Sequence, residues 1–164
     1  MKTSRRTALA TAAAAWLVLA GCATTPAPVS IAETPAALPQ LSTLNRLIAE
    51  AGLVDTLKGP GPYTLFAPSD DAFKAVPAKT MDELAKDKAR LRAVLTYHVV
   101  PGKLMAAEVK MGSVKTVNGA EVGLSKAGAF VAFDEAVVTQ ADVPATNGVV
   151  HVIDKVIVPP APRR

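Results

Sequence analysis

Cysteine is almost missing from this chain: Cys22 is the only one among 164 residues. One thiol builds no disulfide framework and no cysteine zinc site, so the fold must cohere by apolar packing. Histidine is nearly as scarce. His98 and His151 stand alone, without the i,i+4 pairing that a zinc helix presents. Aromatic residues make up 4% of the chain, and the sole tryptophan, Trp16, lies near the start. Long hydrophobic runs are also lacking. The apolar stretch from Ala8 to Ala20 is shorter than the roughly 20 residues that span a bilayer. No Gly-x-Ser-x-Gly elbow marks a hydrolase nucleophile.

What the amino terminus does contain is an export leader. Lys2, Arg5 and Arg6 give a basic start, Ala8–Ala20 an apolar middle, and Leu19-Ala20-Gly21-Cys22 a small-residue exit. That tetrad resembles the lipobox of bacterial lipoproteins. The resemblance implies removal of residues 1–21 as a signal peptide and attachment of diacylglyceryl to Cys22. It also implies an envelope location, periplasmic or at the cell surface. A free thiol in an ordinary secreted protein is the plainer alternative. A lone cysteine in this register, just before a proline-rich stretch, favours the lipid anchor. Ala23 after Cys22 is compatible with an outer membrane. Ser4-Arg5-Arg6-Thr7-Ala8-Leu9 suits a twin-arginine signal, while the same arginines also serve the general secretory route.

Loss of the leader changes the electrostatics. Lys+Arg number 18 against 14 acids, and without Lys2, Arg5 and Arg6 the balance is 15 to 14. A net of +1, with no basic face carrying interleaved aromatics, argues against nucleic acid as a partner. Residues 22–40 hold Pro26, Pro28, Pro35 and Pro39 without periodicity and read as a tether, and 160–164 as an unstructured tail. One domain is expected between them.

Leu44, Leu47, Ile48, Ala51, Val54 and Leu57 share one face of a helix that Ser42 can cap. Tyr63–Ala67 reads as a strand running into Pro68. Ser69 then caps a short helix with Asp70 and Asp71 in its first turn. Thr80 and Glu83 form a capping box, and Lys88 to Tyr97 a further helix burying Leu91, Val94 and Leu95. Asn118-Gly119 predicts a two-residue hairpin turn between Val114–Val117 and Glu121–Leu124. Ala129–Phe133 and Val137–Thr139 read as short strands. Asn147-Gly148 leads into Val149–Val158, a strand buried on both faces. Helices early and strands late give an α+β class.

Three segments resemble the fasciclin (FAS1) domain family. Thr64-Leu65-Phe66-Ala67-Pro68-Ser69-Asp70-Asp71-Ala72-Phe73 is similar to its first signature block, Tyr97-His98 to its short Tyr-His motif, and Ala145–Asp154 to its second block. The resemblance covers residues 41–159. It implies a wedge-shaped β-sandwich with helices packed along one edge, acting as a non-enzymatic adhesion or binding module without a cofactor. The expected partner is a protein or polysaccharide. Carriage of an apolar small molecule, such as a carotenoid or lipid, is the alternative, although Trp16 leaves with the leader and no indole remains to stack on a polyene. In animal members, adhesion is tied to the Tyr-His motif and to an Asp-Ile stretch before the second block. Here Tyr97, His98 and Asp142 occupy those positions, with Val143 in place of Ile, and are the candidate partner contacts. The residues alone favour a structural role for both histidines, hydrogen-bonded to backbone. Phe66 and Phe73 are expected in the core. Ser69, His151 and Asp154 supply the side-chain types of a hydrolase, but Ser69 already has a cap to make.

Overall fold

The computed structural model describes residues 29–128 and 130–159. The leader, Cys22, the first part of the tether and the tail from 160 onward lie outside the described residues. The elements are α1 (Thr34–Ala37), a 3-10 turn (Pro39–Leu41), α2 (Ser42–Glu50), α3 (Val54–Lys58), β1 (Tyr63–Pro68), α4 (Asp70–Lys74), α5 (Ala78–Lys86), α6 (Lys88–Tyr97), β2 (Val99–Pro101), β3 (Gly112–Lys115), β4 (Glu121–Ala127), β5 (Phe130–Phe133), β6 (Ala136–Ala145) and β7 (Gly148–Ile153).

The seven strands form one mixed sheet in the order β2-β1-β7-β6-β5-β4-β3. β7 lies in the middle, parallel to β1 and antiparallel to β6. The Val117 N–H donates to the Val99 carbonyl at 2.8 Å, drawing the β3–β4 turn onto β2 and curling the sheet almost closed. Phe66, Val100, Val122, Leu124, Val131, Phe133 and Ile153 fill the inside of this curl. On the outer face of β1 and β7, Leu65, Ala67, Val150 and Val152 meet Leu44, Leu47, Ile48, Leu91 and Leu95 from the helices. β7 is therefore buried along its whole length, as its unbroken apolar run requires. The α+β class expected from the sequence is the observed one, with the strands in a single, nearly closed sheet flanked by helices.

Local chemistry departs from several expectations. The single helix over 42–58 is two helices. The Gly52 N–H donates to Ala49 O at 3.0 Å and the Leu53 N–H to Ile48 O at 3.1 Å, which is a Schellman stop. Gly52 sits at φ +65°, where only glycine is unstrained, and the periodicity continues past it because both helices pack on the same core. Ser42 is not the cap of α2. Its hydroxyl donates to Asp70 Oδ2 at 2.7 Å, and Asp70 Oδ1 accepts from the Thr43 N–H at 2.8 Å, so a distant carboxylate does the capping. Ser69 caps α4 as expected, accepting from the Ala72 N–H at 3.2 Å.

The Thr80–Glu83 capping box does not form. Pro77 starts α5 earlier, its carbonyl accepting from the Thr80 and Met81 N–H groups, and Glu83 pairs with Arg90 at 2.8 Å. The Asn118-Gly119 hairpin keeps its strands but not its turn. Gly119 N–H donates to Thr116 O and Thr116 N–H to Ala120 O, a three-residue loop ending in Gly119 at φ +90°. That wider loop frees Val117 for its bond to β2. β7 stops at Ile153, where the Asp154 carboxylate accepts from the Val137 N–H at 2.8 Å instead. β6 extends through Asp142 to Ala145, further than the apolar residues Val137–Thr139 suggest.

The tether is also shorter than expected. Ile31, Ala32, Thr34 and Pro35 are buried, so residues 29–40 are a strap folded on the domain. Asn147 fastens it: Oδ1 accepts from the Ile31 N–H at 2.9 Å, while Nδ2 donates to the Leu57 and Gly59 carbonyls at 2.7 and 3.0 Å.

Candidate functional site

Of the residues singled out by the sequence, Phe66, Tyr97, His98 and His151 gather around the inside of the curl. Phe66 from β1 and Phe133 from β5 stack with ring centroids 4.1 Å apart. His151 from β7 lies 5.3 Å beyond Phe66, and His98, just after α6, lies 6.0 Å from Phe133. The four rings thus join sheet, helix end and hairpin through one aromatic array. Tyr97 meets Phe133 edge-on at 6.4 Å and donates its hydroxyl to Glu121 O at 3.3 Å.

Both histidines are fully engaged, in opposite tautomers. His98 Nδ1–H donates to Val94 O at 2.8 Å, and its Nε2 accepts from the Ile157 N–H at 3.2 Å. His151 reverses the roles: Nδ1 accepts from the Asp142 N–H at 3.1 Å and Nε2–H donates to Leu104 O at 2.8 Å. These partners assign the tautomers, because a carbonyl can only accept and an amide N–H only donate. Burial pushes His98 down to about 4, the Val94 carbonyl opposing it, so the ring is neutral at physiological pH. Burial lowers His151 as well, against the Leu104 carbonyl and the Asp142 charge.

Asp142 occupies a bulge. β6 spends three steps from Gln140 to Val143 while β7 spends two from Val152 to Val150, so Ala141 and Asp142 face His151 together. Asp142 adopts φ +58°, a conformation that Asp tolerates better than most residues. Its N–H has lost its ladder partner and finds the His151 ring instead. Its Oδ1 accepts from the Ala106 N–H at 2.8 Å. Thr64 completes the clamp: the hydroxyl donates to Gly102 O at 2.7 Å and accepts from the Leu104 N–H at 2.9 Å. Together Thr64, Asp142 and His151 hold the loop from Gly102 to Val109 against the open side of the curl.

Tyr97 is 3% exposed and His98 1%, so in this conformation neither side chain reaches the surface, while Asp142 is half-buried with its carboxylate turned to the loop. Asp142 and His151 are brought together; Tyr97 and His98 sit elsewhere in the same core. Ser69, His151 and Asp154 do not form a hydrogen-bonded triad, each being held by backbone groups. Sequence reasoning missed Thr64 and the side-chain role of Asn147. Their signal was membership of the two blocks, read only for a strand and a turn. The valine- and leucine-lined space between the strands is occupied by the stacked phenylalanines. A shallow apolar cleft of about 320 Å³ lies instead between Ala72, Val76 and Pro77 and the segment Val156–Val158.

In this curled mixed sheet flanked on one side by helices, Thr64, Asp142, Asn147 and both histidines spend their polar atoms on backbone groups of the loops, the strap and the helix end. The chain belongs to the Fasciclin domain family, whose model matches residues 39–159. It is similar to protein sll1483 of Synechocystis sp., 44% identical over 140 residues that cover 84% of this chain and 78% of the other. It is also similar to the cell surface glycolipoprotein MPB83 of Mycobacterium bovis, 38% identical over 128 residues covering 75% and 57%. Among solved structures, the FAS1 domain pair from the insect cell adhesion molecule fasciclin I aligns with a TM-score of 0.59 and 25% identity, over 73% of this chain and 46% of that one.

Proposed function

We propose that this protein is a non-enzymatic recognition module, held to the bacterial cell envelope outside the cytoplasm by acyl groups on Cys22 and binding a protein or polysaccharide partner. The observation that carries the binding role is the engagement of His98, His151, Ser69 and Asp154 by backbone partners, within a family whose relatives include a cell adhesion molecule and a cell-surface glycolipoprotein. Function in such a fold resides in surface sites. Of the three candidate contacts, Asp142 borders the surface, while Tyr97 and His98 are buried in this structure. The anchor is supported by the Leu19-Ala20-Gly21-Cys22 tetrad and the polar, proline-rich residues after it.

Crosslinking on intact cells, followed by mass spectrometry, should capture one reproducible envelope neighbour that disappears in a deletion strain. Attachment, aggregation and interaction profiles indistinguishable between wild type and deletion would overturn the binding role. Metabolic labelling with palmitate tests the anchor independently: label absent from the mature protein would overturn it.

A further inference from the structure

The folded strap fixes how far, and by which end, an anchored domain can stand off its membrane. Only the six residues Ala23–Pro28 separate Cys22 from Val29. At about 3 Å per residue for a proline-containing spacer they reach roughly 20 Å, much less than a tether running to Gln40 would give. Val29 is tied down, its carbonyl accepting from the Thr146 N–H at 3.0 Å, beside Asn147 at the turn into β7.

The end of the molecule where the chain enters has a distinctive surface. Thr146 and Asn147 share a depression with Pro60–Pro62 and the exposed Lys103. From Lys103 the clamped loop leads to Ala107, whose carbonyl accepts from Lys126 Nζ at 2.9 Å. Lys126 lies at the end of β4, next to the hairpin that returns as Phe130. The loop itself runs out through Lys110 and Met111 into β3. Met111 is 78% exposed and Phe130 70%, the most exposed large apolar side chains among the described residues. Lys103 and Lys110 are exposed on the same loop, Lys110 next to Met111 in the chain, and Glu108 is the only acid in residues 101–111 and 126–130.

We propose that this end is a membrane-contacting surface, with Lys103 and Lys110 meeting anionic phospholipid headgroups while Phe130 and Met111 enter the interface beneath them. This rests on the anchor reading above. Two features carry it: the short reach from Cys22 brings this end to the bilayer, and exposed lysines flanking exposed apolar side chains match an anionic interface in charge and polarity. The β3–β4 turn, at the other end of β4, is held away from the membrane and stays open to a partner.

Removal of Trp16 with the leader leaves the mature chain free of tryptophan, so a single introduced one is a clean probe. The acylated mature protein carrying Phe130→Trp would be reconstituted into phosphatidylcholine vesicles with and without phosphatidylglycerol, each containing nitroxide-labelled lipid. Val117→Trp, at the opposite turn, is the reference. Intact mass reports the acyl groups. The expected result is acylated protein in which the tryptophan at 130 is quenched several-fold more than that at 117, with the excess increased by phosphatidylglycerol and that increase abolished by K103Q/K110Q. Equal quenching at the two ends of acylated protein would overturn the membrane surface and leave the anchor standing. Intact mass without acyl groups would overturn the anchor, and this surface with it.

Discussion

The two halves of the sheet bury their strands differently. β1 and β7 lie between the aromatic interior and the helices, and every residue of β7 is buried. β4 and β5 have the interior on one side only, and along β4 Val122 and Leu124 are buried while Glu121, Gly123, Ser125 and Ala127 are exposed. The first half reads as a continuous apolar run and the second as an alternating one, so coverage by helices is what separates the two patterns. The difference also assigns tolerance. A side chain added to the covered half has nowhere to go, whereas one added to the bare half enters solvent.

Two glycines test this most severely. A β-carbon on Gly148 would overlap the Tyr63 carbonyl of the neighbouring strand, while one on Gly123 would meet nothing within 4 Å. Gly148→Ala should cost about 4 kcal/mol or more, in the range reserved for backbone clashes, and Gly123→Ala should stay within about 0.5 kcal/mol. Urea unfolding of both variants checks this. Comparable losses would show that the close approach of the Tyr63 carbonyl does not set the tolerance at Gly148.

Two phenylalanines sharpen the same contrast. Phe66 is wholly buried against Phe133, and Phe130 stands in solvent three residues before it in the same strand as Phe133. Phe66→Ala should cost about 3–5 kcal/mol by cavity formation. Phe130→Ala should leave stability within about 0.5 kcal/mol, as expected for a surface position. Circular dichroism melts of the purified variants distinguish the two.

Much of this contrast was legible in the residues. The periodicity of Leu44–Leu57, the Val149–Ile153 run and the three family-like blocks carry class, core and strand positions, because apolar pattern reports burial. Where the reading failed, the deciding partner was remote in sequence. Asp70 rather than Ser42 caps α2, Val99 takes the Val117 amide that a tighter turn would have used, and Asn147 pins a strap 116 residues away. The Asp142 bulge likewise depends on His151 accepting an amide that the ladder leaves over. Local propensity contains none of these bonds. Tyr97 and His98 were singled out as contacts by resemblance, while their apolar flanks already matched the interior positions they occupy.

The two buried histidines make the shared interior sensitive to acid. His98 is held at about 4 when folded, against about 6.5 when unfolded, by burial. The unfolded chain therefore binds the proton first, and stability is fully present above about pH 6.5 and falls as pH drops toward 4. At roughly 1.4 kcal/mol per pH unit, the loss from His98 approaches about 3 kcal/mol. His151 is lowered too and adds in the same direction. Urea midpoints measured from pH 7 to pH 4 should fall, and His98→Gln should flatten part of the slope. An unchanged slope in that variant would place the acid sensitivity elsewhere.

The smallest effect concerns the joint between the halves, where Asp142 holds the Gly102–Val109 loop. Its carboxylate accepts one amide hydrogen bond, from Ala106, and its own amide is satisfied by His151. Removing a charged acceptor typically costs about 1.5–3 kcal/mol, but loop amides near the surface regain water, so Asp142→Ala should lose about 1–2 kcal/mol. Asp142→Asn retains an acceptor and a residue type that tolerates φ +58°, and should lose less than about 1 kcal/mol. Hydrogen exchange gives the more specific readout. In Asp142→Ala the amides of Leu104 and Ala106 should exchange faster while those of β7 stay protected, since the loop is clamped onto the sheet and does not support it. Faster exchange along β7 as well would mean that the bulge is part of the sheet's own cooperative unit.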